Sequence, residues 1–540
     1  MPPGPHGEQP AAAQLRTLVL LLAGLGIGLK VGLLLLGAFP FHADEAVVGL
    51  MARHILRGEW PAFFYGQAYM GSLDASLVAL AFRVMGEQIL AIRLVQLLLY
   101  AGTIAVTIHL ARQISGDGLA PVFAGALMAI PVVNVTLYTT VSLGGYGEAL
   151  LLGTLALLWA LKLYRAPGGQ WSLFGWGVLA GVAFWAFGIT LVYSLPAGGL
   201  LLTALRRHHP WKAGLSGLAV LLVGGLLGAA PWIGEAVRLG PAVFVEELLG
   251  SAIAGVEGLN WLNSLYAHLR NLLLFGATAA AGLRPPWEVR WLAWPLLPFA
   301  AGAWLLVLAH ALTSLRRAGP GRDGELLLLA VGATLCLGFL LTPFGADPSG
   351  RYFLPLAPVM AVFAGDFFSK LAAARGPRVG AAGVALLLVF NLWGTLQSAG
   401  RNPPGITSQF SPASRVDASA IPSLAEFLEQ AGEVRGYSHY WVAYPLAFHS
   451  GETVVFAPRL PYHPDLRYTP RDDRYPPYKG MVEQSQRVAY ITTGQPALEQ
   501  SIRRGLNRLG VTWQEVQLGE FRIFYRLSRP VQPAQLGLPG

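Results

Sequence analysis

Charge is what this chain has least of. Only 12% of its 540 residues are charged, about half of the roughly 25% usual in soluble domains. With 54% hydrophobic residues and a mean hydropathy of +0.50, that shortage excludes a single water-soluble globule. Apolar runs of about 20 residues recur, as a multi-span membrane protein requires. Cysteine is nearly absent too. The one thiol, Cys336, lies inside an apolar run, so neither an internal disulfide nor a cysteine-based metal centre is available. A G-x-x-x-x-G-K-[ST] loop and a convincing dinucleotide fingerprint are also missing. The 65 glycines are therefore read mainly as packing residues, which let helices in a membrane approach closely.

Eleven or so segments are expected to span, at 15–37, 88–111, 118–137, 143–164, 171–187, 188–205, 213–235, 290–315, 325–344, 352–372 and 378–398. The pair 171–205 is interrupted by Gly188 and Pro196, and 264–282 is either a further crossing or a surface helix. The first segment is long for a signal peptide and has few positive charges before it. Basic residues set the orientation. Loops after the even-numbered spans hold Arg112; Lys162 and Arg165; Arg206, Arg207 and Lys212; Arg316, Arg317 and Arg322; and Lys370, Arg375 and Arg378. Short loops on the other face are nearly bare of them, apart from Arg351. The positive-inside rule places the basic loops in the cytoplasm. It also accounts for the net charge of +9 without any nucleic acid. The long loops 38–87 and 236–289 and the region beyond 399 then fall on the non-cytoplasmic side.

Composition changes near residue 400. The predicted organisation is a membrane domain over 1–399, a Pro/Ser/Gly linker over 400–422, an α/β domain over 423–530 and a tail over 531–540. In the α/β domain SLAEFLEQAG reads as a helix, with a Ser423/Glu426 capping box and a terminating Gly432. VRGYSHY, ETVVFA, RVAYITT, VTWQEVQL and FRIFYRL read as strands; WVAYPLAFHSG and QPALEQSIRRGLNRLG read as helices. The fold class is thus an α-helical polytopic membrane protein with a small soluble C-terminal α/β domain.

Candidate chemistry gathers in the first long loop, FHADEAVVGLMARHILRGEWPAFFYGQAYMGSLDA. Val47, Val48, Met51, Ile55 and Leu56 have helical spacing in a segment too short to span, so an interfacial helix is expected. Asp44 and Glu45 stand at its start. Asp44 is either an N-cap or a base presented at the membrane surface, kept ionised by the helix dipole. Tyr65, Gln67, Tyr69 and Asp74 are either interfacial anchors or the lining of a sugar site. Tyr146 and Glu148 open the apolar run SLGGYGEALLLG, where an ionisable residue near membrane depth is a functional candidate. Arg351 and Tyr352 follow Asp347 in DPSGRYFLPLAPVMAVFAG. The arginine is either a snorkelling side chain or a bidentate phosphate ligand, with Asp347 as its resting partner. His42 and His54 are weak metal-ligand candidates; no repeated ligand spacing supports them, and no cofactor is required by the sequence. The run YHPDLRYTPRDDRYPPYKG reads as a loop with a function.

Taken in order, HADEAVVGLMARHILRG, FFYGQAYMGSLDASLVALAFRVMG, AIRLVQLLLY and GRYFLPLAPVMA resemble the integral-membrane C-type glycosyltransferases. The resemblance is to the group of dolichyl-phosphate-mannose protein mannosyltransferases and lipid A aminoarabinose transferases, over roughly residues 15–400. It implies transfer of a sugar from a polyprenyl-phosphate donor to a lipid, glycan or protein acceptor outside the cytoplasm, with inversion. It also implies that Asp44 is the base or orienting carboxylate and that Arg351-Tyr352 lie near the donor phosphate. One departure stands out. Where the aminoarabinose transferases carry a lysine before a Pro-Pro pair, this chain reads Tyr69-Met70-Gly71-Ser72-Leu73-Asp74, which leaves more of the phosphate charge to Arg351. A transporter or flippase for lipid-linked sugars and a non-catalytic scaffold are the rival readings. Against the transporter, no internal repeat is evident and the acidic residues fall at a membrane face rather than mid-span.

Overall fold

In a computed structural model the chain is described over residues 8–166, 168–208, 210–240, 261–317, 319, 321–401, 405–409 and 414–538. Part of the expected loop 236–289 and much of the expected linker lie outside these residues. The chain divides into two compact units. Unit 1 comprises residues 1–38, 69–73 and 93–403; unit 2 comprises 39–68, 74–92 and 404–540. The first long loop is therefore shared, mostly with the C-terminal region.

Unit 1 is helical. Its helices are α1 (Glu8–Leu35), α4 (Ile89–Ser115, whose first turn belongs to unit 2), α5 (Leu119–Ala129), α6 (Val133–Tyr138), α7 (Tyr146–Arg165), α8 (Gln170–Ala186), α9 (Leu191–His208), α10 (Trp211–Gly228), α11 (Ala230–Leu239), α12 (Trp261–Arg270), α13 (Ala277–Ala280), α14 (Leu297–Thr313), α15 (Arg322–Leu341), α16 (Leu356–Arg375) and α17 (Pro377–Arg401). Among the described residues eight helices are long and apolar enough to cross a membrane, and α5 and α14 are shorter apolar helices. Each expected span has a helical counterpart, with three adjustments. The segment 118–137 is not one helix: Pro131 cannot donate to the ladder and forces Ile130 out of the helical region, so α5 ends and α6 restarts. The segment 290–315 becomes helical only from Leu297. The segment 213–235 is broken after Gly228. The pair 171–205 is two helices, α8 and α9, joined by a 3-10 turn at Gly188–Thr190. In 264–282 the helix is interrupted by a π-helical stretch, Asn271–Gly276.

Glycine sets a close helix contact in unit 1. Gly177 and Gly181 of α8 face Gly224 and Gly228 of α10, each pair spaced four apart. A Cβ at any of the four would overlap a backbone carbonyl oxygen of the facing helix. This is the small-residue packing by which membrane helices associate without a hydrophobic driving force.

Unit 2 wraps α2 (Ala43–Leu56) and α3 (Leu73–Met85, whose first residue belongs to unit 1) with a C-terminal α/β layer. That layer holds α18 (Ile421–Ala431), β3 (Arg435–Ser438), α19 (Tyr440–His449), β4 (Val455–Pro458), α20 (Pro477–Glu483), β5 (Ala489–Thr493), α21 (Pro496–Arg508), β6 (Gln514–Leu518) and β7 (Phe521–Tyr525). The first loop also holds a short hairpin, β1 (Phe63–Phe64) and β2 (Gln67–Gly71), of which residues from Tyr69 on belong to unit 1. The five-stranded sheet runs β4-β3-β5-β7-β6, parallel across β4, β3 and β5 and antiparallel beyond. Apolar residues of β3, β5, β7 and α21, among them Tyr437, Tyr490, Phe524 and Ile502, form its core. The expected Ser423/Glu426 capping box is not formed. The helix starts two residues earlier, at Ile421 with Pro422 in its first turn, so Ser423 is already interior. Gly432 does end it in a left-handed conformation (φ 71°).

Helix α2 does not have the exposed polar face of an interfacial helix. Between Glu45 and Ile55 every residue is buried within the fold. Gly49 sits directly against the Phe448 ring of α19, so its apolar spacing serves packing against the C-terminal layer.

Substituting Gly181 by Ala or Leu is expected to push α8 from α10. The cost is about 1–3 kcal/mol for Ala and more for Leu, read as a lower thermal unfolding midpoint in detergent. Gly234→Ala, where a Cβ meets nothing within 4 Å, is expected to leave the midpoint unchanged or slightly raised.

Candidate active site

In unit 2 the first turn of α2 meets the C-terminal layer at Asp44. The N-cap position is His42, with no side-chain cap, and Asp44 is the second helical residue, so the capping reading of Asp44 does not hold. Its carboxylate instead accepts two hydroxyls. Tyr440 Oη donates to Oδ1 at 2.6 Å, and Ser408 Oγ donates to Oδ2 at 2.8 Å. His42 Nδ1 lies 3.9 Å from Oδ2, and its Nε2 lies 3.3 Å from Ser408 Oγ. The side chain of Asp44 keeps 26% of its surface exposed, so it is held yet reachable. Glu45 beside it is fully buried.

Loop 470–474 completes this cluster. The Tyr444 hydroxyl accepts from the backbone N–H of Arg474 at 2.6 Å and of Tyr475 at 3.1 Å, and donates to Asp472 O at 3.3 Å. The loop is thereby pinned so that the Arg474 guanidinium packs 5.5 Å from the Tyr440 ring centre. Burial pushes the Asp472 carboxyl up to about 7; Arg474 opposes the shift and Asp44 adds to it.

A second polar knot in unit 2 involves His54 and Tyr65. His54 Nδ1 bonds Tyr65 Oη and its Nε2 bonds Glu452 Oε1, both at 2.8 Å. Tyr65 stacks on Tyr475 at 4.8 Å. Tyr478 donates to Glu452 at 2.8 Å, and Arg57 donates to it at the same distance. Burial works against ionised Glu452, but the bonds from His54 and Tyr478 and the charge of Arg57 outweigh it and bring the group to about 2. The knot is internally paired and reads as a brace. His42 and His54 do not converge on a common metal position. Among the described residues no group of three or more His, Cys, Asp or Glu could hold a metal ion.

In unit 1 the other candidates gather around Arg351. It pairs with Asp347 at 2.5 Å, as its spacing suggested, and packs 5.0 Å from the Tyr352 ring. Tyr352 meets Phe344 at 4.9 Å, Tyr69 meets Phe344 at 6.0 Å and Phe187 at 5.9 Å, and Tyr146 meets Phe187 at 5.0 Å and Tyr138 at 4.7 Å. Tyr69, Tyr146, Arg351 and Tyr352 thus belong to one aromatic cluster. The buried Tyr352 hydroxyl and Arg351 Nε have no hydrogen-bond partner, which leaves two donors for an anion. Glu148 is buried in the first turn of α7, and Asp74 is buried in the first turn of α3 in unit 2. Gln67 is half-buried in β2.

Two basic residues missing from the sequence reading brace this cluster and the segments beside it. Arg284 is buried and donates to the carbonyls of Phe275, Pro285 and Pro348, fixing the turn before Arg351. Asn134 donates to Gly350 O at 3.1 Å. Lys30 of α1 is 1% exposed and donates to Thr139 Oγ1 at 2.7 Å, Thr140 Oγ1 at 2.9 Å and Thr136 O at 3.3 Å, with the Tyr100 ring at 4.2 Å. It thus clamps the segment that carries Tyr138. A lone lysine inside an apolar run was the available signal for it. For Asp472 and Arg474 the signal was the aromatic and charged run already singled out; nothing local marks Tyr440 or Ser408.

No family model and no curated protein sequence matches the chain. Solved structures do. ArnT from Cupriavidus metallidurans bound to undecaprenyl phosphate aligns with a TM-score of 0.58 at 13% identity, over 96% of this chain and 99% of that one. Its apo form gives 0.58 at 14% identity, over 94% and 99%. The archaeal oligosaccharyltransferase AglB from Archaeoglobus fulgidus, in complex with an inhibitory peptide and a dolichol-phosphate, gives 0.51 at 14% identity, over 88% and 69%. The chain has the fold of these proteins.

The raised Asp472 has a consequence for stability. Its folded value of about 7 lies above the roughly 3.9 of an unfolded aspartate, so the folded chain binds the extra proton between them. The stability this proton supplies is complete below about pH 4 and is lost as pH rises through 7. Asp472→Asn is expected to flatten that decline and to raise stability at pH 8, on the order of 1–3 kcal/mol. Thermal unfolding from pH 5 to 8 measures it; an unchanged slope in the variant contradicts it.

Proposed function

We propose that this protein is a membrane glycosyltransferase. It takes a sugar from a polyprenyl-phosphate carrier and passes it, with inversion, to an acceptor on the non-cytoplasmic face, where the C-terminal domain also lies. The observation that carries this reading is the likeness to ArnT over nearly the whole of both chains, a protein whose structure holds undecaprenyl phosphate. The aromatic cluster around Arg351, with two donors left open, offers the chemistry such a phosphate needs.

In this reading an acceptor hydroxyl attacks the anomeric carbon. Its O–H bond breaks and the proton passes to Asp44. The new C–O bond forms as the bond from the anomeric carbon to the phosphate oxygen breaks, and that electron pair leaves on the lipid phosphate. Asp44 suits its part because Tyr440 and Ser408 fix the orientation of the carboxylate. A positioned base of this kind contributes about 10²–10⁴-fold. Arg351 suits the phosphate because guanidinium is planar, permanently charged and bidentate, and a preorganised cation stabilises charge as it develops. In the resting state Asp347 neutralises it; phosphate would compete for the same face.

The test is sugar transfer in membranes from radiolabelled polyprenyl-phosphate sugars. Wild type is expected to transfer, Asp44→Asn to lose about 10²-fold or more, and Arg351→Ala a comparable factor. Each variant should match wild type in abundance and thermal midpoint. Equal rates in wild type and Asp44→Asn would remove Asp44 as the base. No transfer from any donor, with lipid-linked sugar moving across vesicles instead, would favour a flippase.

A further inference from the structure

The sheet of unit 2 has a topological switch point at β3. From β3 the chain goes through α19 to β4 on one side, then returns through α20 to β5 on the other. All three strands are parallel, so the carboxyl ends at Ser438, Pro458 and Thr493 lie on one edge. In open α/β sheets a crevice forms outside the carboxyl ends where strand order reverses, and ligands bind there.

The residues just beyond these ends are tied into a floor. His439 follows β3 and bonds Thr493 Oγ1 at the end of β5 through Nε2, at 2.8 Å. Gln495 donates to Tyr462 O, in the loop after β4, at 2.8 Å. The rings of His439 and Tyr462 are 5.8 Å apart. His439 is fully buried and its Nδ1 has no hydrogen-bond partner. Burial lowers this imidazole to about 3, so it is neutral at physiological pH. The next residue, Tyr440, begins α19 and donates to Asp44. The switch point of the soluble layer and the half-exposed Asp44 are thus one place within unit 2. Around it stand the aromatic faces of Tyr462 and Trp441, 6.4 Å apart, and the polar pair Asp472 and Arg474.

We propose that this carboxyl edge is the acceptor subsite and that its ligand is a saccharide. One sugar ring lies against Tyr462, its hydroxyls bond Asp472 and Arg474, and its reacting oxygen lies on Asp44. The chemistry favours a saccharide because aromatic surface with a few convergent polar groups suits a ligand with apolar C–H faces and a rim of hydroxyls. A carboxyl and a guanidinium side by side accept from and donate to neighbouring hydroxyls. The inference rests on the transferase reading and adds to it where the acceptor binds and what it is.

Two measurements on the full-length protein separate the inference from that reading. The first is two-substrate kinetics with a polyprenyl-phosphate sugar and a panel of oligosaccharides. Asp472→Asn and Tyr462→Ala are each expected to raise the acceptor KM about tenfold or more, with the donor KM within about twofold. Tyr462→Phe, which keeps the ring and loses only the hydroxyl, is expected to raise the acceptor KM by less than Tyr462→Ala does. The second is saturation-transfer NMR of the same oligosaccharides, which needs no turnover. Contact with wild type is expected, and loss of it in Asp472→Asn at an unchanged fold. Transfer with acceptor KM unaltered in both variants overturns the subsite and leaves the transferase standing. Saccharide contact abolished by Asp472→Asn, without transfer from any donor, keeps the subsite and removes the transferase. Transfer only to peptide or lipid acceptors, with no saccharide contact, overturns the saccharide.

Discussion

The hydrogen bond from Tyr440 to Asp44 joins residues 396 positions apart, and unit 2 is organised around it. A carboxylate at the start of a helix is favoured by the helix dipole, but the dipole does not decide which way the group points. The hydroxyls do. Two of them, one on each oxygen, leave the carboxylate little rotational freedom, and charge-assisted bonds of this kind are about twice as strong as neutral ones. The same contact accounts for the burial of α2. A helix that presents its first turn to Tyr440 and packs Gly49 against Phe448 has both ends of α19 on its surface.

Unit 1 solves a related problem with cations. An arginine kept ready for an anion must not collapse onto its own backbone, and the turn that carries it must not yield. Asp347 holds Arg351 from the side, while Arg284 and Asn134 take the carbonyls of Pro348 and Gly350. The Lys30 amine is within hydrogen-bond distance of Thr136 O, Thr139 Oγ1 and Thr140 Oγ1. A buried amine in an apolar helix is costly unless its donors are received. Here the Thr136–Thr140 segment receives them, and that demand shapes the segment in return.

How much of this was legible in the sequence depended on the range of the interaction. Span positions follow from apolar length, and the strands and helices beyond residue 430 from periodicity and glycine punctuation, because both are local. The failures were also local rules, overridden from elsewhere. Ser423-x-x-Glu426 has the spacing of a capping box, yet Pro422 suits the first turn better and the helix starts before it. The apolar face of α2 has the spacing of an interfacial helix, but spacing does not say whether lipid or protein covers the face, and here it is protein. Asp44 and Arg351 were visible because charge is scarce where they lie. Tyr440 and Ser408 were invisible because each is an ordinary residue whose role comes only from meeting Asp44 across the fold.

Asp472 and Glu452 show why composition alone cannot assign the chemistry of a carboxylate. Both belong to the C-terminal layer of unit 2 and both are largely buried, yet one is pushed up to about 7 and the other down to about 2. Desolvation is the leading influence on each and acts in the same direction. The difference lies in what answers it. Glu452 receives His54, Tyr478 and Arg57 directly, so its charge is worth keeping, and the group serves as a brace. Asp472 has Arg474 near but also the like charge of Asp44, so near neutrality it moves between protonated and ionised forms. A brace needs a fixed charge. A group that meets hydroxyls of a bound sugar gains from being able both to donate and to accept, and only the second carboxylate is placed and poised for that.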